Sequence, residues 1–367
     1  MENNKEKKAL QDEYWANIQK VAQGYLEKVE KDGSELKFVP EDFINEELCY
    51  VAVKQAGRAL AYVPKEYINE ELCSIAVKEY GRALADVPEE LKTRELCEIA
   101  VKDSGRNLKY VPKDLKSPEL CELAIKGVLG QGGNLKFVPY ELRTKELCEL
   151  AVEDKGYALE HVPEKFKSRE LCEIAVKDNG WNLKYVALEL RTKELCELAV
   201  KQDGWYLEYV PEKYKTLDLC REAVSDYGTA LEFVPEDLKT PELCELAVKE
   251  NGFAIKFVPD KFKTLELCEI AVKDSGFALE YIPYDFKTKE ICEKAVKENA
   301  YALRDVPEQL RTFKLCDVAV DLFIINSEKY TFTVSEMIEA VVPEEFKEEL
   351  AEKYDIELPK KTNERGR

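Results

Sequence analysis

The side chains with the widest chemical repertoire in this chain of 367 residues are twelve cysteines: Cys49, Cys73, Cys97, Cys121, Cys148, Cys172, Cys196, Cys220, Cys244, Cys268, Cys292 and Cys316. Ten of the eleven intervals between them are 24 residues, and the one from Cys121 to Cys148 is 27. Zinc sites gather C-x-x-C pairs or cysteine–histidine clusters. Here 23 or 26 residues separate each thiol from the next, and the chain has a single histidine, His161. Stacked equivalent helices lie ~8–10 Å apart, whereas a disulfide needs Cα atoms within ~7 Å. The spacing therefore reads as a ladder of small, buried, apolar side chains. The alternative is a thiol-rich metal-binding protein that uses the same ladder. His161 alone completes neither a triad nor a ligand set, and it fits as a substitute for tyrosine.

A fixed period of this length is the signature of a repeat array, and the positions around each cysteine keep to it. Alanine stands three residues after every cysteine, followed by Val, or once by Ile125. Leu, or once Ile291, precedes it. One unit runs from Thr93 to Lys116. Its first residue is Ser, Thr or Asn in all twelve copies, a helix N-cap worth ~1 kcal/mol. Pro118 and Pro241 occupy the first helical position, where proline is tolerated. Acidic residues follow at the second helical position in eleven units, with Lys314 the exception. Gly105 and its equivalents are expected to end the helix as left-handed C-terminal residues, which leaves a helix of about ten residues, roughly 15 Å long. In that helix Leu96, Cys97, Ile99, Ala100 and Val101 leave little besides Glu98 and Lys102 for water, so it should be packed on several sides. Pro112 bars helix at the residue before it, so the segment Asn107–Val111 predicts a short α or 3₁₀ turn, and the residues after the proline a further turn.

With those positions in hand, the string Gly276-Phe277-Ala278-Leu279-Glu280-Tyr281 and the helix Thr288-Lys289-Glu290-Ile291-Cys292-Glu293-Lys294-Ala295-Val296-Lys297 resemble the short helical repeats of domain of unknown function 4116. The resemblance spans about residues 34 to 325. It implies an all-α array and supplies no catalytic motif. This chain departs from the pattern in its cysteine and in the proline after the Tyr-Val pair.

The expected architecture is an all-α αα-repeat solenoid, a superhelix of twelve ~24-residue units, roughly 100 Å long if each layer adds ~8–10 Å. Residues 1–33 are expected as an N-terminal capping helix, with Leu10, Tyr14, Ile18, Val21, Tyr25 and Val29 at helical spacing. Residues 34–325 form the array, 326–356 C-terminal capping helices, and 357–367 a disordered tail. Open stacks need such atypical ends to cover apolar faces.

Fifty-five basic against 74 acidic residues give a net charge of −19. This argues against nucleic acid, whose phosphates would be repelled, and favours basic partners. With no run of 18 apolar residues no membrane span is expected, and the N-terminus carries no stretch of signal-peptide type, so a cytoplasmic protein is the expectation. No cofactor is implied and no acid/base pair stands out from the general surface charge, so the chain reads as a non-enzyme.

In a regular stack the varying positions are better functional candidates than the fixed core. The residue after the glycine is Arg58, Arg82 and Arg106 early, then Tyr157, Trp181, Trp205, Thr229, Phe253, Phe277 and, after Ala300, Tyr301. Four residues further stand Tyr62, Asp86, Tyr110, His161, Tyr185, Tyr209, Phe233, Phe257, Tyr281 and Asp305. If the segment is α-helical, i and i+4 share a face, giving an arginine and aromatic stripe able to hold a protein or peptide. Its focus would be Trp181, Trp205 and Tyr206. The plainer reading is that these rings seal one short helix against the next. A second row, from Lys92 and Lys116 to Arg311, precedes each cap from the third repeat on. It reads as local compensation of the helix-start carboxylate three residues later, or else as an anion rail. The glycine-rich insertion at 127–133 lacks the Lys-Ser/Thr of a phosphate loop and is expected as a bulge or bend, with a contact loop as the alternative.

Overall fold

A computed structural model describes residues 2–127, 132–326 and 333–358 of the chain, with side chains from residue 14 onward apart from residue 15. Four residues of the glycine-rich insertion, 128–131, and the tail beyond 358 lie outside the described residues. Among the described residues every regular element is a helix.

Each repeat follows from its own sequence. The Asn, Ser or Thr cap accepts a hydrogen bond from the amide three residues on in all twelve units, from Asn45 to the Leu48 amide at 2.9 Å through Thr312 to the Leu315 amide at 3.4 Å. A cysteine helix of about ten residues follows, as in Arg94–Asp103. One extended residue, here Ser104, then breaks the α geometry and leads into a six-residue 3₁₀-helix, Gly105–Tyr110. Val111 and Pro112 turn the chain into a three-residue 3₁₀-helix, Lys113–Leu115, before the next cap. Leu, Cys, Ala and Val of every cysteine helix are buried, with Ile125 and Ile291 as the two variants, and so are the leucine or isoleucine of the short helix and the aliphatic residue that ends it. Burying one such aliphatic side chain is worth about 1.5–3 kcal/mol.

The described chain divides into two compact units, Met1–Ala187 and Leu188–Arg367. The first opens with the helix Glu2–Lys31 and carries six cysteine helices, from Glu46–Gln55 to Arg169–Asp178. Tyr25 of the opening helix packs on Phe43 of the first repeat, ring centres 5.4 Å apart. The second unit carries the other six, from Lys193–Gln202 to Phe313–Ile325, closed by Val334–Val341 and Glu344–Tyr354. Its last cysteine helix is extended to 13 residues and buries Phe323. Tyr354 and Lys353 both reach Asp317 on that helix.

The glycines do not act as left-handed helix stops. At Gly57, Gly81, Gly105, Gly156, Gly204, Gly228, Gly252 and Gly276 the φ lies outside the left-handed region. The helix ends instead at the extended residue before the glycine, whose amide bonds the carbonyl of the conserved-position alanine, as in Ala56 to Ala52 at 2.9 Å. The glycine is required by what lies opposite. A Cβ on Gly57 would sit 2.3 Å from the Ala76 carbonyl oxygen of the next cysteine helix, and on Gly204 2.2 Å from that of Ala223. The short helix of one repeat thus rests on the bare backbone of the next. In some repeats the contact is also bonded: the Gly156 amide donates to Asp178 at 2.9 Å and the Gly252 amide to Asp274 at 2.7 Å.

Two glycine replacements should therefore act in opposite directions. Gly204→Ala forces backbone apart and should lower stability by about 1–3 kcal/mol. Gly24→Ala, in a helix with nothing within 4 Å of the new methyl, should be neutral or stabilise by up to ~1 kcal/mol. Urea midpoints of the two variants test this, and a harmless Gly204→Ala would refute the packing argument.

Candidate partner-binding surface on the short helices

The residue after each glycine is the second of the short helix, and the next two residues face inward. In the Gly57–Tyr62 helix Ala59 and Leu60 are buried while Arg58 is exposed. The same division holds along both units. In the first unit Arg58, Arg82, Arg106, Tyr157 and Trp181 are exposed and Tyr185 is half-buried. In the second, Phe277 is exposed, and Trp205, Tyr206, Tyr209 and Phe253 are half-buried. Gly133 is the one buried residue at this second position, and a Cβ there would meet the Tyr157 ring.

Because these segments are 3₁₀ and not α, residues three apart eclipse and those four apart do not. Eclipsed pairs are seen: Lys184 lies 4.0 Å from the centre of the Trp181 ring and Arg304 5.2 Å from that of Tyr301. The residue four positions on contacts the preceding repeat instead. Trp205 meets Phe233 edge-to-face at 4.8 Å and Tyr227 at 5.5 Å, and Phe253 meets Tyr281 at 5.3 Å. In the second unit, then, part of the aromatic set does seal one short helix against the next, while Phe277 remains 45% exposed. Tyr157 in the first unit is 49% exposed. The sealing reading therefore applies at Trp205 and Phe253, while Tyr157 and Phe277 stay open to solvent.

Three titratable groups stand where other repeats carry rings. Burial raises the Asp86 and Asp305 carboxyls above the ordinary range, opposed by Arg82 and Arg304 respectively. Burial lowers His161, opposed by Glu160, whose carboxylate lies 3.9 Å away. These are displaced packing positions.

The lysine and arginine row has a role that neither sequence reading foresaw. Lys92 donates to the Tyr110 carbonyl at 3.1 Å and pairs with Glu89 at 2.6 Å, three residues before it, not with Glu95 after it. Lys167 does the same with the Tyr185 carbonyl and Glu164, and Lys215 with the Phe233 carbonyl and Glu212. Arg143 reaches the His161 carbonyl and Arg191 the Tyr209 carbonyl. Each cation named here thus satisfies the last carbonyl of the following repeat's short helix, a favourable place for positive charge, whereas Arg311, after the last short helix, reaches the Val341 carbonyl of the closing helix. The Lys92 side chain is only 5% exposed, so this row offers no anion rail. The first two repeats carry Ile44 and Ile68 at this position.

Sequence reading also missed Asn107, Asn134 and Asn182, which replace the inward alanine of the short helix and are buried. Each side-chain amide donates to the cysteine-helix alanine carbonyl of its own repeat, at 2.8–3.0 Å. A polar residue in an otherwise fixed Gly-x-Ala-Leu string was the available signal.

All twelve cysteines are free and fully buried. Burial pushes each thiol up to about 11, as at Cys172 and Cys196. Among the described residues no group of three or more His, Cys, Asp or Glu side chains could hold a metal ion. An open cleft of about 400 Å³ between Gln19, Gln23, Leu26, Phe43 and Glu47 contains no nucleophile–base pair. No helix among the described residues is long and apolar enough to cross a membrane.

Cysteine helices alternating with glycine-opened short helices define an all-α repeat solenoid. The family model for Domain of unknown function (DUF4116) matches residues 69–116, 144–191, 168–215, 192–239, 216–263, 240–287 and 264–311, each a span of two repeats. These matches cover more than half of the chain, which belongs to that family. No curated protein matches it.

Two measurements check this description. At pH 8 a thiol at about 11 is ionised in about one molecule per thousand, so a thiol-specific reagent should leave the native chain almost unlabelled and titrate twelve cysteines only in denaturant. Several fast-reacting thiols in the native state would contradict it. Trp205→Ala, which loses two edge-to-face contacts, should cost about 1–3 kcal/mol, and Phe277→Ala, at a ring 45% exposed, under ~1 kcal/mol. Equal losses in thermal midpoint would show that Phe277 belongs to the packing.

Proposed function

We propose that the chain is a non-catalytic scaffold that holds a protein or peptide along its short-helix side. One observation carries this reading. The residue after the glycine of the short helix varies from repeat to repeat and is exposed or half-buried in every repeat but the one that carries Gly133, while the next two positions are buried almost throughout. A frame that fixes everything except one outward residue per repeat is suited to reading a partner residue by residue. Exposed rings such as Tyr157, Trp181 and Phe277 are the side chains that supply contact energy at low entropic cost. In the second unit, Glu208, Glu232 and Glu280 lie on the same short helices as the rings. With the net charge of −19, this supports a partner with a basic surface there. A cytoplasmic setting fits twelve free thiols, since reducing conditions keep them so.

A peptide library displayed on phage and selected on the intact chain tests the reading. Enriched sequences should carry Lys or Arg, and should bind a Tyr157→Ala/Trp181→Ala/Phe277→Ala variant at least about tenfold more weakly. The variant's thermal midpoint should stay close to that of the parent. Absence of enrichment, or unchanged binding by the variant, would remove the proposal.

A further inference from the structure

The short helices of the first unit have a local charge opposite to that of the chain. Lys37, Arg58, Arg82, Arg106, Lys109 and Lys136 are all exposed on the first five of them, against Glu35 within those helices and Asp86 directly after the third. Three of the six, Arg58, Arg82 and Arg106, occupy one position in three consecutive repeats. The whole chain has 55 basic and 74 acidic residues, so this run is not a reflection of composition.

These guanidinium groups are only lightly used by the fold. Arg58 donates to the Ser34 hydroxyl at 2.5 Å and lies 3.6 Å from Asp32, with 63% of its side chain exposed. A pair as open as this contributes little to stability. Arg82 acts on Asp86 at a distance, without an ion pair within 4 Å. Arg106 forms no ion pair among the described residues. Asp32 beside Arg58 and Asp86 beside Arg82 are carboxylates that face the row, Asp103 packs against Gly81 next to Arg82, and burial disfavours the charged form of Asp86.

We propose that Arg58, Arg82 and Arg106 form a docking row for an acidic peptide segment in polyproline-II conformation, with a carboxylate at every third residue. This rests on the reading of the chain as a binding scaffold and names what one part of it takes. The match is one of spacing and charge. Successive helices of a stack are ~8–10 Å apart. Polyproline II has three residues per turn and a rise of ~3.1 Å, so every third side chain returns to one face after ~9.3 Å. Guanidinium groups engage carboxylates through paired hydrogen bonds. At physiological ionic strength the screening length is ~8 Å, so the local row governs contact while the remoter carboxylates are attenuated. A nucleic acid is a poorer fit. Its duplex carries a charge every ~1.7 Å, far more than three arginines match, and the acidic remainder of the chain repels it.

Fluorescence anisotropy with the full chain tests this, using a labelled peptide of three Glu-Pro-Pro triplets. The comparison ligands are a peptide of the same composition with its three glutamates adjacent, a Lys-Pro-Pro peptide and a single-stranded DNA 12-mer. The Glu-Pro-Pro peptide should bind best, and Arg58→Ala/Arg82→Ala/Arg106→Ala should weaken it by about tenfold or more without altering the circular dichroism or melting midpoint. The Leu188→Ala variant, altered at an exposed residue of the other unit, should retain it. No binding, equal binding of the adjacent-glutamate peptide, tighter binding of the DNA, or insensitivity to the arginine substitutions would each overturn the proposal. Library-selected peptides that still depend on the aromatic positions would then leave the scaffold reading standing, and their failure as well would end both.

Discussion

The contact on which the rest depends is that of a glycine against a carbonyl oxygen one repeat further on. A Cβ at Gly132 would fall 2.0 Å from the Ala151 oxygen, and at Gly105 2.1 Å from that of Ala124. Two backbones meet with no side chain between them, and both partners are constrained at once. The first must be small to let the short helix down, and the second must be alanine-sized so that the oxygen stays uncovered. The same oxygen accepts the amide that ends its own helix, as Tyr80 to Ala76 at 2.9 Å, and in three repeats an asparagine side chain too. One atom per repeat therefore ends a helix, seats the neighbouring repeat and anchors the occasional polar residue of the core.

Around this contact the repeat is held by two polar ties that run forward along the chain. In some repeats the glycine amide bonds an aspartate at the end of the next cysteine helix, as Gly204 to Asp226 at 2.8 Å. The buried lysine or arginine before the cap bonds the last carbonyl of the next short helix, as Lys263 to Tyr281 at 2.9 Å. Both satisfy groups that a short helix leaves open at its ends, so helices of six residues can persist inside a packed structure. The thiol ladder plays a different part. With each sulfur fully buried, cysteine serves as a compact apolar filler, and its chemistry is suppressed by the same desolvation that makes it useful there.

Much of this was legible from residues alone and some was not. The period, the caps and the buried Leu-Cys-Ala-Val set could be read because each is a local rule applied twelve times. The glycine was misread as a left-handed stop because its reason lies in a backbone atom of another repeat, which has no residue signature. The lysine row was misread for the same cause. Its acceptor is a carbonyl, and a carboxylate three residues later looked like a sufficient partner. The face shared by the short-helix side chains was set by 3₁₀ geometry, so Trp205 turned out to pair with Phe233 of the next repeat and not with Tyr209 of its own.

The insertion at 127–133 shows where such a design can be edited. Lys116 reaches the Phe137 carbonyl across 21 residues, where its counterparts span 18, yet at 3.0 Å the bond is the same. The next tie onward, Gly132 to Asp154, keeps its ordinary 22-residue span. Extra chain entering between the end of a cysteine helix and its glycine is absorbed without shifting the layers on either side. That junction is a natural port for longer loops, and through it an array of this kind can acquire new surface while its frame is left untouched.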